Sequence, residues 1–134
     1  MMWVIDTSAL IRLFVPDGPL HAEVETAFNR AASGGDVILA PHLILIEAAN
    51  VLLRKQRRDE LSMQELQELL SAIDSLPIRL CDHGPLLQPA CILAEAHGLS
   101  AYDALYLALA ERHGARLITN DNTLEKVARS CGLA

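Results

Sequence analysis

"SAYDALYLALAERHGARLITND", residues 100–121, holds a helix, a break and a strand in one short span. Ser100 to Gly114 is built from strong helix formers, begins at a Ser and stops at a Gly, which is how helices start and end. Ala115 to Asn120 is short and apolar, and an acid, Asp121, follows at once. A helix feeding a strand is half of a parallel α/β unit. The chain opens on the matching half: "MWVIDTS", residues 2–8, reads as a buried strand that ends on Asp6 and turns into a helix from about Ser8 to Val15.

The segments between keep the alternation. "LHAEVETAFNRAAS" (20–33) is a helix, "DVILA" (36–40) a strand ended by Pro41, and "HLILIEAANVLLRKQRR" (42–58) a long helix. "SMQELQELLSAIDSL" (62–76) is a helix in which Ser62 and Glu65 have capping-box spacing. "IRLC" (78–81) is a third strand. "PLLQPACILAEAHG" (85–98) is a helix whose Pro89 could move its start to Gln88, and "NTLEKVARSCG" (122–132) closes the chain. Strands separated by helices imply right-handed crossovers. The expected fold is a three-layer α/β/α domain with a central parallel sheet of four to five strands, one domain over 1–134. Only Leu133 and Ala134 follow Gly132, so a fifth strand is a stub or absent.

Composition narrows the class. Of 134 residues 51% are hydrophobic but only 4% aromatic, an aliphatic balance that suits helices on a parallel sheet. No apolar run is long enough for a bilayer, and the opening lacks a basic leader, so neither a membrane span nor a signal peptide is expected. Cys81, Cys91 and Cys131 are odd in number and lack metal-type spacing, which fits small buried or half-buried thiols in a reducing cytoplasm. A net charge of −6 excludes nucleic-acid binding by overall electrostatics. Positive charge is nonetheless gathered at Arg54, Lys55, Arg57 and Arg58, which reads either as a solvated helix end or as a phosphate-binding patch.

Four acids stand out, and each has a plain reading beside a functional one. Asp6 ends the first strand and could cap the next helix, but Ser8 could do that equally well and release Asp6. Asp121 ends the fourth strand; Asn122 and Glu125 have cap-and-return spacing, which leaves Asp121 free. Asp103 lies three after Ser100, again the spacing of a capping box. Glu47 sits in apolar "LILIEAANVLL", with Asn50 and Arg54 on its helix face, so it belongs to a narrow polar stripe or faces a crevice. Ligands of open parallel sheets collect at the carboxyl ends of strands, where Asp6 and Asp121 would emerge side by side if their strands are neighbours. Four carboxylates gathered in one cleft would require raised pKa values or bound cations, and hard cations such as Mg²⁺ take oxygen ligands.

The order Asp6, Glu47, Asp103, Asp121 resembles that of PIN-domain ribonucleases. "VIDTSAL", "LILIEAANVL", "SAYDALYLALAERHG" and "LITNDNTL" are similar to their four motifs, and the pattern is closest to VapC-like toxins of type II toxin–antitoxin pairs. The resemblance covers essentially the whole chain. It implies that Asp6, Glu47, Asp103 and Asp121 hold one to two Mg²⁺ or Mn²⁺ ions, with Ser8, Thr119 and Asn120 bracing them and Asn50 a plausible supporter. It also implies endonucleolytic RNA cleavage to 5′-phosphate and 3′-hydroxyl ends, a cognate antitoxin and a homodimer. Arg12, Arg54, Lys55, Arg57 and Arg58 are the residues for RNA contact. The five His residues (21, 42, 83, 97 and 113) are expected at the surface, with His42 a weak substrate contact.

Three other readings differ by particular residues. A phosphoacceptor receiver domain needs a Lys at a late strand end, but Lys55 and Lys126 fall in helices. A haloacid-dehalogenase-type phosphatase needs Asp where this chain has Ser8. A PIN-like scaffold that binds RNA or protein without cutting, or a processing nuclease that is not a toxin, has the same motifs and is separated by experiment.

Overall fold

The computed structural model describes residues 1–134. Its sheet has four parallel strands: β1 (Met2–Ile5), β2 (Val37–Pro41), β3 (Ile78–Cys81) and β4 (Arg116–Ile118), in the order β3-β2-β1-β4. β1 and β4 are therefore neighbours, in register as Ile5 beside Ile118. Leu133 is not in a strand, but its carbonyl accepts from the Leu117 N–H at 2.7 Å, so the stub reaches β4 with one bond.

Seven α-helices connect the strands: α1 (Thr7–Ile11) and α2 (Ala22–Ala32) follow β1, α3 (Leu43–Arg57) and α4 (Met63–Asp74) follow β2, α5 (Leu87–His97) and α6 (Ala101–His113) follow β3, and α7 (Asn122–Ser130) follows β4. Passage from β1 to β2 to β3 runs one way across the sheet, and the step from β3 to β4 runs back. Right-handed crossovers then put α1–α4 on one face and α5–α6 on the other. The result is the expected three-layer arrangement. No helix is long and apolar enough to cross a membrane.

Local chemistry explains most boundaries. Ser62 and Glu65 form the full capping box of α4, each reaching the other's backbone N–H at 3.0 Å. Pro89 is tolerated because it lies in the first turn of α5, after a short 3-10 turn at Gly84–Leu86, where its missing N–H has no helical partner. Gly114 ends α6 at φ 59°, a left-handed conformation that costs glycine nothing. α1 stops at Ile11, short of the expected Val15. Residues 13–15 turn back with N–H bonds to the carbonyls of Leu10 and Ile11, and Pro16 disfavours helical backbone at Val15.

One cluster of 31 buried residues forms the core. α6 is its axis: Ala104 to Ala110 are all buried, as expected for a helix apolar on every side and enclosed between the sheet and α5. Leu107 is 0% exposed, so Leu107→Ala should leave a cavity and lower the unfolding free energy by about 2–5 kcal/mol, read as a lowered urea midpoint at unchanged m-value.

Candidate active site: four carboxylates around one cavity

A cavity of about 440 Å³ opens at the carboxyl ends of β1 and β4, the position where open parallel sheets bind ligands. Asp6, Glu47, Asp103 and Asp121 all line it, with Thr7, Ser8, Arg12, Asn50 and Arg54. Each acid comes from a different connection: Asp6 from the β1–α1 junction, Glu47 from the second turn of α3, Asp103 from the first turn of α6, and Asp121 from the β4–α7 junction. Residues separated by up to most of the chain are thus brought together, Asp6 and Asp121 by the pairing of β1 with β4, and Glu47 and Asp103 by the helices packed beside them.

Asp6 is the most enclosed, at 4% exposure. Its Oδ1 accepts from Ser8 Oγ at 2.8 Å and from the Ala9 N–H at 3.0 Å; its Oδ2 accepts from Thr119 Oγ1 at 2.5 Å. Ser8 Oγ also accepts from the Asn120 N–H, and the Thr119–Asp6 bond is a second tie between the ends of β1 and β4; Thr119 Oγ1 accepts locally from the Asp121 N–H. Since each hydroxyl proton is spent on Asp6, the 3.2 Å approach of Ser8 to Thr119 adds no further donor. The Ala9 bond makes Asp6 the N-cap of α1, a correction to the expectation that Ser8 would release it. Asp6 therefore caps α1 and lines the cavity at once.

Asp121 corrects a second expectation. It, not Asn122, caps α7, its Oδ1 accepting from the Leu124 N–H at 2.8 Å. Its other oxygen accepts no hydrogen bond. At α6, Ser100 caps by accepting from the Asp103 N–H at 3.1 Å, and the Asp103 carboxylate makes no return bond and remains in the cavity. Glu47 is half-buried, its Oε1 accepting from Thr7 Oγ1 at 2.9 Å and from Tyr106 OH at 2.5 Å. Thr7 and Tyr106 were not singled out in the sequence. A Tyr inside an apolar helix is the signal that points to the latter, because a buried phenol hydroxyl needs a partner.

The acids feel one another and their burial. Enclosure pushes Asp6 up to about 6 against the favourable hydrogen bonds it accepts, with the Asp103 charge adding to the rise. Asp103 is raised by burial first, then by Asp121 and Glu47. Burial, then the Glu47 carboxylate, raises the Tyr106 hydroxyl above the ordinary phenol range, so it stays protonated and donates. No three His, Cys, Asp or Glu side chains converge closely enough to hold one ion among themselves. The donor set is nevertheless all oxygen, and a hard divalent cation needs only one or two carboxylates when water and phosphate complete its shell.

The basic residues divide. Arg12 and Arg54 line the cavity, and neither is ion-paired with an acid. Arg12 packs against the backbone of Gly18, where an added Cβ would lie 3.1 Å from its Nε. Lys55 does not join them. It is 8% exposed, and its ammonium is spent on Asp17 and Glu60, so it holds the 16–19 turn to the end of α3 instead of facing RNA. Arg57 and Arg58 are exposed and away from the cavity lining. Asn120 supports the site through its backbone, while its Nδ2 donates to the Pro19 carbonyl. No His lines the cavity; His42, His97 and His113 are exposed, whereas His21 and His83 are half-buried, and His21 caps α2 through Nδ1.

A parallel α/β sheet that gathers carboxylates outside two adjacent strands defines a class of acidic-cavity domain. Within that class, the model of the PIN domain matches residues 3–130, and the chain belongs to the PIN-domain family. It is 32% identical over 126 residues to Ribonuclease VapC3 of Pyrobaculum aerophilum, covering 92% of both chains. It is 35% identical over 122 residues to Ribonuclease VapC1 of Mycobacterium tuberculosis, covering 90% of this chain and 86% of the relative. The crystal structure of Mycobacterium tuberculosis VapC20, a Sarcin-Ricin loop cleaving toxin, shares the fold with a TM-score of 0.66 at 20% identity, over 98% of this chain and 96% of that one.

The raised Asp6 carboxyl has a consequence for the metal-free protein. The folded chain holds that proton more tightly than the unfolded chain, so its stabilising effect is complete below about pH 4 and lost as pH rises through about 6. Asp6→Asn keeps an acceptor for the Ala9 N–H and removes the charge. Its stability relative to the parent, in chelator, should therefore improve by on the order of 3 kcal/mol between pH 4 and 7, measured by denaturant titration at each pH.

Proposed function

We propose that this chain is an endoribonuclease that hydrolyses RNA phosphodiester bonds with the aid of bound Mg²⁺ or Mn²⁺, and that it is the toxin of a toxin–antitoxin pair. The observation that carries the reading is the convergence of Asp6, Glu47, Asp103 and Asp121 on one cavity beside two unpaired guanidiniums, Arg12 and Arg54. Such a concentration of like charge in a half-buried cleft favours the binding of a cation. The ribonuclease names of the VapC3 and VapC1 relatives support RNA as the substrate.

The residues fit that chemistry. Asp6 has most of its lone pairs occupied and presents little more than one oxygen site; Glu47 Oε2, Asp103 and Asp121 Oδ2 accept no hydrogen bond from the protein. These are the atoms that would hold one to two divalent ions. When bound, the ions would activate a water for in-line attack on phosphorus and stabilise the departing oxygen. Arg12 and Arg54 meet the phosphates beside the broken bond, a geometry that suits guanidinium. Ser8 and Thr119 keep the Asp6 carboxylate still. Water adds to phosphorus and the O3′ leaves with a proton, giving 5′-phosphate and 3′-hydroxyl ends. No histidine base is required.

Selectivity follows from shape and from positive charge at the rim, because the chain as a whole, at −6, repels RNA. The likeness to VapC proteins extends the reading to a homodimer and to an antitoxin whose basic segment would enter the acidic cavity.

Purified protein should cut total RNA in Mn²⁺ or Mg²⁺ and not in chelator, and Asp6→Asn should lower the rate by at least a hundredfold. Equal cutting by the variant, or no cutting by the parent in either metal, would overturn the nuclease reading. Growth arrest on induction, absent with Asp6→Asn, tests the toxin role separately. Because the ligands must be ionised, Mn²⁺ at about a hundred times its Kd should stabilise the protein by about 2.7 kcal/mol at pH 7.5 and much less at pH 5, seen as a Tm shift.

A further inference from the structure

Glu47 differs from the other three acids in how it is held. Asp6 and Asp121 are fixed partly by backbone N–H groups of the helices they cap, but Glu47 projects from the second turn of α3 and has no backbone donor. Its Oε1 is met instead by two side-chain hydroxyls: Thr7, the residue after Asp6, and Tyr106, one turn after Asp103. The two hydroxyl oxygens are themselves 3.0 Å apart. Tyr106 is 1% exposed within the continuously buried run of α6, so its ring cannot swing away, and Glu47 is the one carboxylate its hydroxyl reaches.

We propose that Thr7 and Tyr106 are positioning residues for Glu47: together they clamp Oε1 and leave Oε2 as the single oxygen offered to the cavity. The inference rests on the reading above, that Glu47 helps bind a divalent ion. A free glutamate could chelate through both oxygens or rotate toward Arg54, which lies on its own helix face. With Oε1 held between α1 and α6, Glu47 would offer a cation one oxygen, in one direction and already in place. The donors that do this belong to the same two elements that deliver Asp6 and Asp103. Displacement of either element therefore moves two ligands together.

Tyr106→Phe keeps the buried ring and removes only the hydroxyl; Thr7→Val removes the second donor, and Thr7→Ser restores it. Mn²⁺ uptake by each variant, followed by EPR of free Mn²⁺ without RNA, should weaken about tenfold for Tyr106→Phe and Thr7→Val and return to the parent value for Thr7→Ser. In RNA cleavage at saturating Mn²⁺, kcat should fall about tenfold in the first two while KM for RNA stays within about twofold. A hydroxyl that merely fastens α6 to α3 would lower Tm and leave Mn²⁺ affinity unchanged, and that result would overturn the clamp. If Tyr106→Phe does not fold, the contrast between Thr7→Val and Thr7→Ser decides by the same readout. Glu47→Gln separates the two levels. If it weakens Mn²⁺ uptake while the clamp variants do not, the clamp alone fails. If the parent takes up no Mn²⁺, the metal reading fails and the clamp falls with it.

Discussion

The mutual repulsion of four carboxylates is the constraint around which this structure is arranged. Bringing Asp6, Glu47, Asp103 and Asp121 to one cavity costs free energy: the Asp6 and Asp103 carboxyls are raised first by burial, and the neighbouring acids add to the rise. Asp6, Glu47 and Asp121 are held there by neutral donors: hydroxyls from Ser8, Thr119, Thr7 and Tyr106, and amides from Ala9 and Leu124; Asp103 is held by its helix. Neutral donors fix an anion without cancelling its charge. Pairing with Arg or Lys would have removed the negative potential that gives the cavity its use.

The same donors join the ends of two neighbouring strands. Ser8 and Thr119 each bridge β1 and β4 while donating to Asp6, so the strand junction and the position of this carboxylate share one set of bonds. Of the cations, Arg12 and Arg54 line the cavity and Lys55 does not. Lys55 is turned into an ion pair with Asp17 and Glu60, and that pair steadies the turn against which Arg12 rests.

The alternation of strands and helices was legible because Pro, Gly and capping residues punctuate it sharply, and the resemblance to PIN domains supplied the grouping of the acids. What was missed has a common physical origin. Capping and ligation were treated as exclusive at Asp6 and Asp121, yet a carboxylate has two oxygens, and a cap uses one of them. α1 ended early because a proline acts on the residue before it. Lys55 was read with its charged neighbours, although Ile44, Ala48, Leu52 and Lys55 follow each other at helical spacing and all are buried. Periodicity there carried the answer and charge counting did not. Tyr106 left a single clue, a hydroxyl in an otherwise apolar helix.

That helix also has a mechanical meaning. α6 touches water along none of Ala104 to Ala110, so its axial position and rotation are set by core packing on all sides. Asp103 and the Tyr106 hydroxyl are mounted on this one stiff rod. A methyl group gained or lost near Leu109, outside the cavity lining, would bear on both through the helix they share. Misplacement of catalytic groups by about 1 Å can cost a hundredfold in rate. The tolerances of the cavity are therefore kept in the hydrophobic interior, and this chain can lose its precision before it loses its fold.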